Sequence, residues 1–433
     1  MGIDDEIARA RQVRDALPEG GLFHEKGWRI SPRAFAVTSA FAKELDQLGY
    51  RLLQFLRAAN QLYRLSHEGR QPGWIAELLD RGKPAHLVEI SRERAFRDEI
   101  PAVIRPDLVL TDEGYTIAEI DSVPGGIGLT GWLGREYAAM GEDVLGGGDG
   151  MIEGFASVVR GGDIVVSEEA ATYRPEMEWL ARQLGGSVRV LDDAPREDWQ
   201  QTVYRFFELF DLANVRCSEQ LMEKARSGGI RVTPPFKPQL EEKLWFALFW
   251  LRPLEGYWRR ELGEKSLAAL RKVIPYSWLV NPEPLPPHAV LPRLEVQSWD
   301  EVAAFSQKRR ELILKVSGFS ERAWGSRGVV VAQDVPHGEW KTALEEALDA
   351  WPRQPYVLQE FHKARVIEHP WLDGDTVVSM KGRVRLCPYY FPGEGKVRCA
   401  GALATICPQD KKLLHGMSDA ILAPTAVVAD PAK

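Results

Sequence analysis

The chain has 433 residues, 45% hydrophobic and 27% charged, with a formal net charge of −7. That is the composition of a soluble globular protein long enough for roughly two to four packed units. The acidic balance argues against a nucleic-acid binder that works through a broad basic surface, while leaving room for an anionic ligand in a local basic pocket.

The four cysteines (Cys217, Cys387, Cys399 and Cys407) form no CxxC pair and have no histidine at zinc spacing. They are expected to be reduced, mostly buried thiols of a cytoplasmic protein. Met1-Gly-Ile-Asp-Asp-Glu6 is acidic and lacks the apolar centre of a signal peptide, and Glu6 stands where myristoylation wants Ser or Thr. The longest apolar run, Leu244 to Leu251, falls well short of the ~20 residues of a spanning helix. No membrane partner and no nucleic-acid partner is expected.

Residues 1–82 read as a helical N-terminal region, because Ala34 to Leu45 and Leu52 to Leu62 carry apolar residues at helical spacing. Residues 83–160 hold a hairpin and a Gly-rich segment, with a helix expected over Gly131 to Met140. Residues 161–235 alternate: strand at Ile164–Ser167, amphipathic helix at Arg174–Leu184, strand at Ser187–Leu191, then an apolar element at Thr202–Leu209. That order predicts a small βαβ unit with a parallel sheet.

Within residues 236–433, the Pro-rich stretch Asn281 to His288 reads as an extended connector. Strands at Leu312–Val316, Gly328–Ala332, Tyr356–Phe361, Arg383–Phe391 and Val397–Ile406 predict one antiparallel sheet, interrupted by a helix near Trp340–Ala350. No period of 20–50 residues repeats, which argues against a solenoid. The predicted class is α/β (α+β).

The hairpin, Val103 to Asp121, carries the first chemistry. Two alternating runs flank Asp112-Glu113-Gly114, which suits a three-residue turn ending in a left-handed glycine. That turn pairs Thr111 with Tyr115 and, outward, Asp107 with Glu119 and Arg105 with Asp121. Leu108, Leu110, Ala118 and Ile120 then share the core face. Carboxylates facing one another repel by roughly several tenths of a kcal/mol or more, so something cationic belongs with Asp107, Glu119 and Asp121. Oxygen ligands of this kind suit Mg²⁺ better than zinc.

The second constellation runs from Leu314 to Val329. Lys315 lies inside an apolar strand and needs an anion there. The loop after it holds Ser317, Gly318, Ser320, Gly325, Ser326 and Gly328, whose N–H and hydroxyl groups suit a polyanion. Arg322 and Arg327 add mobile positive charge. A solvated loop with Lys315 in a salt bridge is the competing reading. Gln359-Glu360-Phe361 ends a strand and could present backbone to the edge of a base, although in isolation an ordinary sheet strand is the better reading. Lys243, in Leu240-Glu-Glu-Lys-Leu-Trp245, is equally open to being a solvated helix lysine.

Gly126-Ile-Gly128-Leu-Thr-Gly131 matches the dinucleotide pattern GxGxxG. Ser122-Val-Pro-Gly125 separates it from the strand, however, and no second strand ending in an acid follows at the expected distance. The Walker A, HExxH and GxSxG motifs are absent from the sequence.

Acidic ligands, a strand lysine, a Gly/Ser loop and a Gln-Glu hinge together resemble an ATP-grasp site. Glu119-Ile-Asp121 precedes the lysine and loop, and this order resembles the circularly permuted branch that includes glutathionylspermidine synthase. Arg105-Pro-Asp107 followed by Glu119-Ile-Asp121 is similar to that branch in spacing, as are Val165 to Glu169 and Glu242 to Trp245. The resemblance covers roughly residues 100–410, making 83–160 and 236–433 parts of the ATP-grasp body and 161–235 a substrate-side subdomain.

It implies Mg²⁺ on Asp107, Glu119 and Asp121, and ATP phosphates on Lys243 and Lys315. The loop with Ser317, Gly325, Ser326, Arg327 and Gly328 would close over those phosphates, and Gln359, Glu360 and Phe361 would frame the adenine. Arg105, with Arg322, would act on charge developing in phosphoryl transfer. Asp121 stands where the family has asparagine. Val123-Pro-Gly-Gly126 replaces its Thr/Ser-rich turn, and a cysteine-dependent amidase part is not expected.

The activity this implies is an ATP- and Mg²⁺-dependent carboxylate–amine ligase working on small-molecule co-substrates through an acyl phosphate. A kinase on the same scaffold and a non-catalytic nucleotide-binding protein are the alternatives.

Overall fold

The computed structural model describes residues 2–23, 27–121, 123–323, 327–393, 397–414 and 418–430. The chain forms two compact units. The first comprises Met1–Arg57, Ile90–Phe236 and Ala364–Lys433, and the second Ala58–Glu89 with Lys237–Lys363.

The first unit holds two sheets. In the seven-stranded one the order is Phe35–Thr38, Ile421–Val428, Cys399–Pro408, Thr376–Tyr390, Arg105–Thr111 and Gly114–Asp121, with Val366–Asp373 also paired to Thr376–Tyr390. Only Phe35–Thr38 runs parallel to its neighbour among these described pairs.

That strand corrects the helical reading of Ala34 to Leu45. Phe35 to Thr38 is extended and in register with Thr425 to Val428, and the helix starts at Ser39 and runs to His67. Phe35 and Val37 bury every second side chain, a period-two pattern that the helical window masked.

The second sheet is the parallel one expected from the βαβ alternation. Its order is Arg189–Leu191, Asp163–Val166, Thr202–Phe206 and Arg231–Thr233, all parallel. The helix expected at Arg174–Leu184 is observed at Arg174–Gln183. The helix read at Gly131 begins earlier, at Ile127. Trp132, Leu133, Tyr137 and Phe155, from the helices Ile127–Ala139 and Gly150–Val159, share one apolar core with Ile164, Tyr204, Tyr389 and Leu403 from both sheets. Each is at most 7% exposed.

The second unit contains one four-stranded antiparallel sheet, in the order Val329–Val331, Leu312–Val316, Tyr356–Glu360 and Ser277–Val280. The single sheet expected for the final third is therefore corrected to two. The strands before residue 361 pair here, and those after 365 join the hairpin in the first unit. Strand sequences report which side is buried and leave the partner open. Leu312, Leu314, Val316, Tyr356 and Leu358 turn one face onto Trp340 and Leu344 of the helix His337–Ala350. Alternation then puts Lys315 and Gln359 on the opposite face.

Among the described residues no helix is long and apolar enough to cross a membrane. All four cysteines are buried thiols outside any disulfide.

Candidate functional site

In the first unit the hairpin pairs Arg105 with Asp121 and Asp107 with Glu119, as read from the sequence, but by a different route. The turn is shorter than expected: Thr111 pairs with Gly114 across Asp112-Glu113. Ala118 is then an extra residue, a bulge between the Leu108–Ile117 and Asp107–Glu119 pairs. The core face is Leu108, Leu110, Tyr115 and Ile117, all buried, while Ala118 and Ile120 are half-buried.

The positive charge these acids call for is arginine. The Arg105 guanidinium lies 2.7 Å from Asp121 Oδ2 and 3.0 Å from Asp107 Oδ1. Arg385 lies 3.0 Å from Asp107 Oδ2, and the Cys387 thiol donates to Asp107 Oδ1 at 3.4 Å. Asp121 Oδ1 accepts the Val123 N–H at 2.9 Å. Arg105 also donates to the Gly125 carbonyl at 3.3 Å, which accepts the Tyr389 hydroxyl at 2.6 Å.

Burial holds the Asp121 carboxyl above its ordinary range. Arg105 pulls it down, and Glu119 and Asp107 push it up again. Carboxylate oxygens are the donors a small hard dication takes, so the residues fit Mg²⁺ in chemistry. Among the described residues, no three acidic, histidine or cysteine side chains are grouped to hold a metal ion. Arg105 stands between Asp107 and Asp121 instead.

The Gly-rich segment after Asp121 is closed by Glu176, a residue the sequence reading did not single out. Glu176 is fully buried. Its carboxyl accepts the Gly126 N–H at 2.7 Å and the Leu129 N–H at 3.0 Å, and Gly128 N–H as well. Burial outweighs these donors and pushes the carboxyl up to about 7. A Cβ on Gly128 would lie 2.3 Å from the Glu176 carbonyl oxygen, so this close approach requires glycine. The GxGxxG-like stretch thus opens a helix whose first N–H groups already hold a carboxylate, leaving no place there for a pyrophosphate.

In the second unit Lys315 is 6% exposed and its Nζ donates to Gln359 Oε1 at 2.9 Å. The register explains the contact. Val357 sits opposite Lys315 and Gln359 opposite Ile313, so Lys315 and Gln359 are diagonal neighbours on one face. Gln359 pairs with Ser277, whose hydroxyl accepts its Nε2 at 3.1 Å.

Ser317 and Gly318 follow at once and are buried. Lys243 donates to the Ala323 carbonyl at 3.1 Å. A Cβ on Gly328 would lie 2.6 Å from the Arg322 carbonyl oxygen and 2.7 Å from Val316 Cγ2, so the loop closes on a glycine. Arg322 and Arg327 are exposed, and Gly325 and Ser326 lie outside the described residues.

Glu360 pairs with Arg293 at 2.9 Å, and that guanidinium lies 4.3 Å over the Tyr276 ring. The Phe361 N–H donates to the Glu311 carbonyl at 3.0 Å. The sequence reading also missed Arg385. Its signal was available: like Lys315, Arg385 is a cation inside an apolar strand, Val384-Arg-Leu-Cys387, and demands an anion.

No sequence-family model and no curated protein sequence matches the chain. Solved structures do. A glutathione synthetase-like effector from Globodera pallida, in its apo form, superposes with a TM-score of 0.58 at 12% identity, over 99% of this chain and 98% of its own. A protein assigned as a gamma-glutamylcysteine synthetase from Methylobacillus flagellatus superposes with a TM-score of 0.40 at 11% identity, over 83% and 85%. The first likeness runs nearly end to end and makes the mixed α/β fold similar to that of the effector.

Proposed function

We propose that the chain is an ATP- and Mg²⁺-dependent carboxylate–amine ligase on a circularly permuted ATP-grasp fold, similar to the synthetase part of glutathionylspermidine synthase. The observation that carries this reading is Lys315, a buried ammonium on a sheet face beside Gln359 and at the mouth of the Ser317–Gly318 turn. Similarity of fold to a glutathione synthetase-like protein supports it.

In this reading a substrate carboxylate oxygen attacks the γ-phosphorus of ATP, ADP leaves, and an amine nitrogen displaces phosphate from the acyl phosphate. Such chemistry asks the protein mainly for positioning and charge neutralisation. Lys243 and Lys315 neutralise phosphate charge, and the loop with Ser317, Gly325, Ser326, Arg327 and Gly328 shields the acyl phosphate from water. Gln359, Glu360 and Phe361 frame the adenine. Arg105 and Arg322 meet charge that grows on the transferring phosphoryl. Asp107, Glu119 and Asp121 would hold Mg²⁺, whose charge would offset that on the phosphate oxygens.

The test is ADP release from the purified protein with Mg²⁺ and ATP, screened against amino acids, polyamines and short peptides. The expected product is an amide with ADP and phosphate. A stable phosphoester in its place would make the protein a kinase, and no stimulated ADP release with any acid–amine pair would remove the ligase reading.

A further inference from the structure

The loop that starts at Ser317 is tied down by an acid whose role sequence reasoning left open. Lys83 and Glu242 form an ion pair with side chains only 1% and 2% exposed. The other Glu242 oxygen accepts the Ser317 hydroxyl. Ser317 Oγ also accepts the Leu244 N–H at 2.9 Å, and its carbonyl accepts the Lys243 N–H at 3.4 Å.

Space at this point is exhausted. A Cβ on Gly318 would lie 2.7 Å from the Glu241 carbonyl oxygen and 3.0 Å from Glu242 Cδ. The next residue, Phe319, has φ of 47°, a strained conformation for an aromatic residue. Lys83 Nζ lies 5.9 Å from the centre of its ring. Further along, Gln354 Nε2 donates to the Gly318 carbonyl at 2.8 Å and Lys243 Nζ to that of Ala323.

An oxyanion that takes a buried ammonium and a serine hydroxyl at the base of a Gly/Ser loop has the partners of a phosphate oxygen. We propose that Glu242 holds the place of a phosphate group, and that Lys83 and Ser317 form a phosphate subsite exposed when Glu242 is displaced. The inference rests on the nucleotide reading above and adds Lys83 to it. Without ligand, Glu242 keeps the buried Lys83 ammonium paired, as a low-dielectric site requires. A phosphate group brings more charge and more acceptor oxygens to the same donors. Displacing Glu242 lowers the apparent affinity, because only the fraction of molecules with Glu242 swung away can bind.

The alternative is a strut that merely fastens the segment near Lys83 to the loop. Glu242→Gln separates the two, since it keeps the side-chain shape and removes the competing charge. Calorimetric titrations use inorganic tripolyphosphate and, separately, Mg²⁺ with a non-hydrolysable ATP analogue. The Glu242→Gln variant is expected to bind tripolyphosphate at least about fivefold more tightly than wild type. Adding Lys83→Met is expected to abolish that gain.

Equal or weaker tripolyphosphate binding by Glu242→Gln overturns the inference. Tighter tripolyphosphate binding with no analogue binding by either protein keeps the subsite and removes the nucleotide reading. Should the Glu242→Gln variant fail to fold, Lys83→Met alone decides: it is expected to weaken tripolyphosphate binding at least about fivefold, and unchanged binding by the folded variant refutes the inference.

Discussion

Replacing Glu176 by glutamine isolates one buried carboxyl whose two opposing influences predict opposite signs. Backbone N–H groups of Gly126, Gly128 and Leu129 favour its charged form, and burial disfavours it. Burial prevails, moving the carboxyl from its ordinary 4.5 to about 7. Between those values the native protein holds a proton that the unfolded chain has released. Stability from this group is therefore present below pH 4.5 and lost as pH rises through about 7. At full titration that is about 3 kcal/mol.

Glutamine keeps an acceptor oxygen for the glycine turn and cannot ionise, so the variant lacks this loss. The other groups facing Glu176 are Arg105, Tyr173, Tyr204 and Tyr389. The three tyrosines are pushed upward by burial and stay neutral across this window. Asp121, also raised, contributes with the same sign in both proteins and cancels in the difference. Urea unfolding at intervals from pH 5 to 8.5 is the assay. The stability of Glu176→Gln relative to wild type is expected to climb with pH by about 3 kcal/mol. A relative stability that falls with pH would mean the N–H donors dominate, and the reasoning would be refuted.

Lys315→Ala is expected to lower ATP turnover by orders of magnitude while the far-UV circular dichroism is retained, because the fold does not need the ammonium. Asp107→Asn should do the same, and near-wild-type turnover in the purified variant would sink the ligase assignment. Gly128→Ala places a methyl 2.3 Å from the Glu176 carbonyl oxygen. It is expected to cost about 1–3 kcal/mol, read as a lowered melting temperature.

What was legible in the sequence was local, and what was not came from contacts across the chain. Lys315 could be found because an ammonium in an apolar strand is an anomaly within five residues. Arg385 carried the same anomaly. Lys83 gave no such sign: its partner Glu242 lies 159 positions away, and each alone reads as a solvated charge. Glu176 was hidden likewise, as one acid on an amphipathic helix whose role depends on the Gly126–Leu129 turn 47 to 50 positions earlier. The strands of the final third were visible as strands, but their division between two sheets depends on pairing that no strand encodes alone.

The hairpin shows how a local reading can reach the right pairs through two offsetting differences. A three-residue turn without a bulge and a two-residue turn with a bulge at Ala118 both pair Asp107 with Glu119. They differ in what lies opposite the leucines. The first sets Thr116 and Ala118 against Leu110 and Leu108, whereas the second sets Tyr115 and Ile117 there. Burying Ile117 and Tyr115 contributes about 1.5–3 kcal/mol each, enough to outweigh a bulge and select the observed register. Rewriting the four positions as Tyr115→Thr, Thr116→Val, Ile117→Thr and Ala118→Ile reverses that preference. A cysteine at Val109 is expected to crosslink one placed at 116 in the natural hairpin and one at 117 in the rewritten one. Crosslinking that stays at 116 would show that the turn, rather than the core face, sets the register. In both registers Arg105, Asp107, Glu119 and Asp121 keep their partners, so the charged cluster is insulated from the choice that its own strands make.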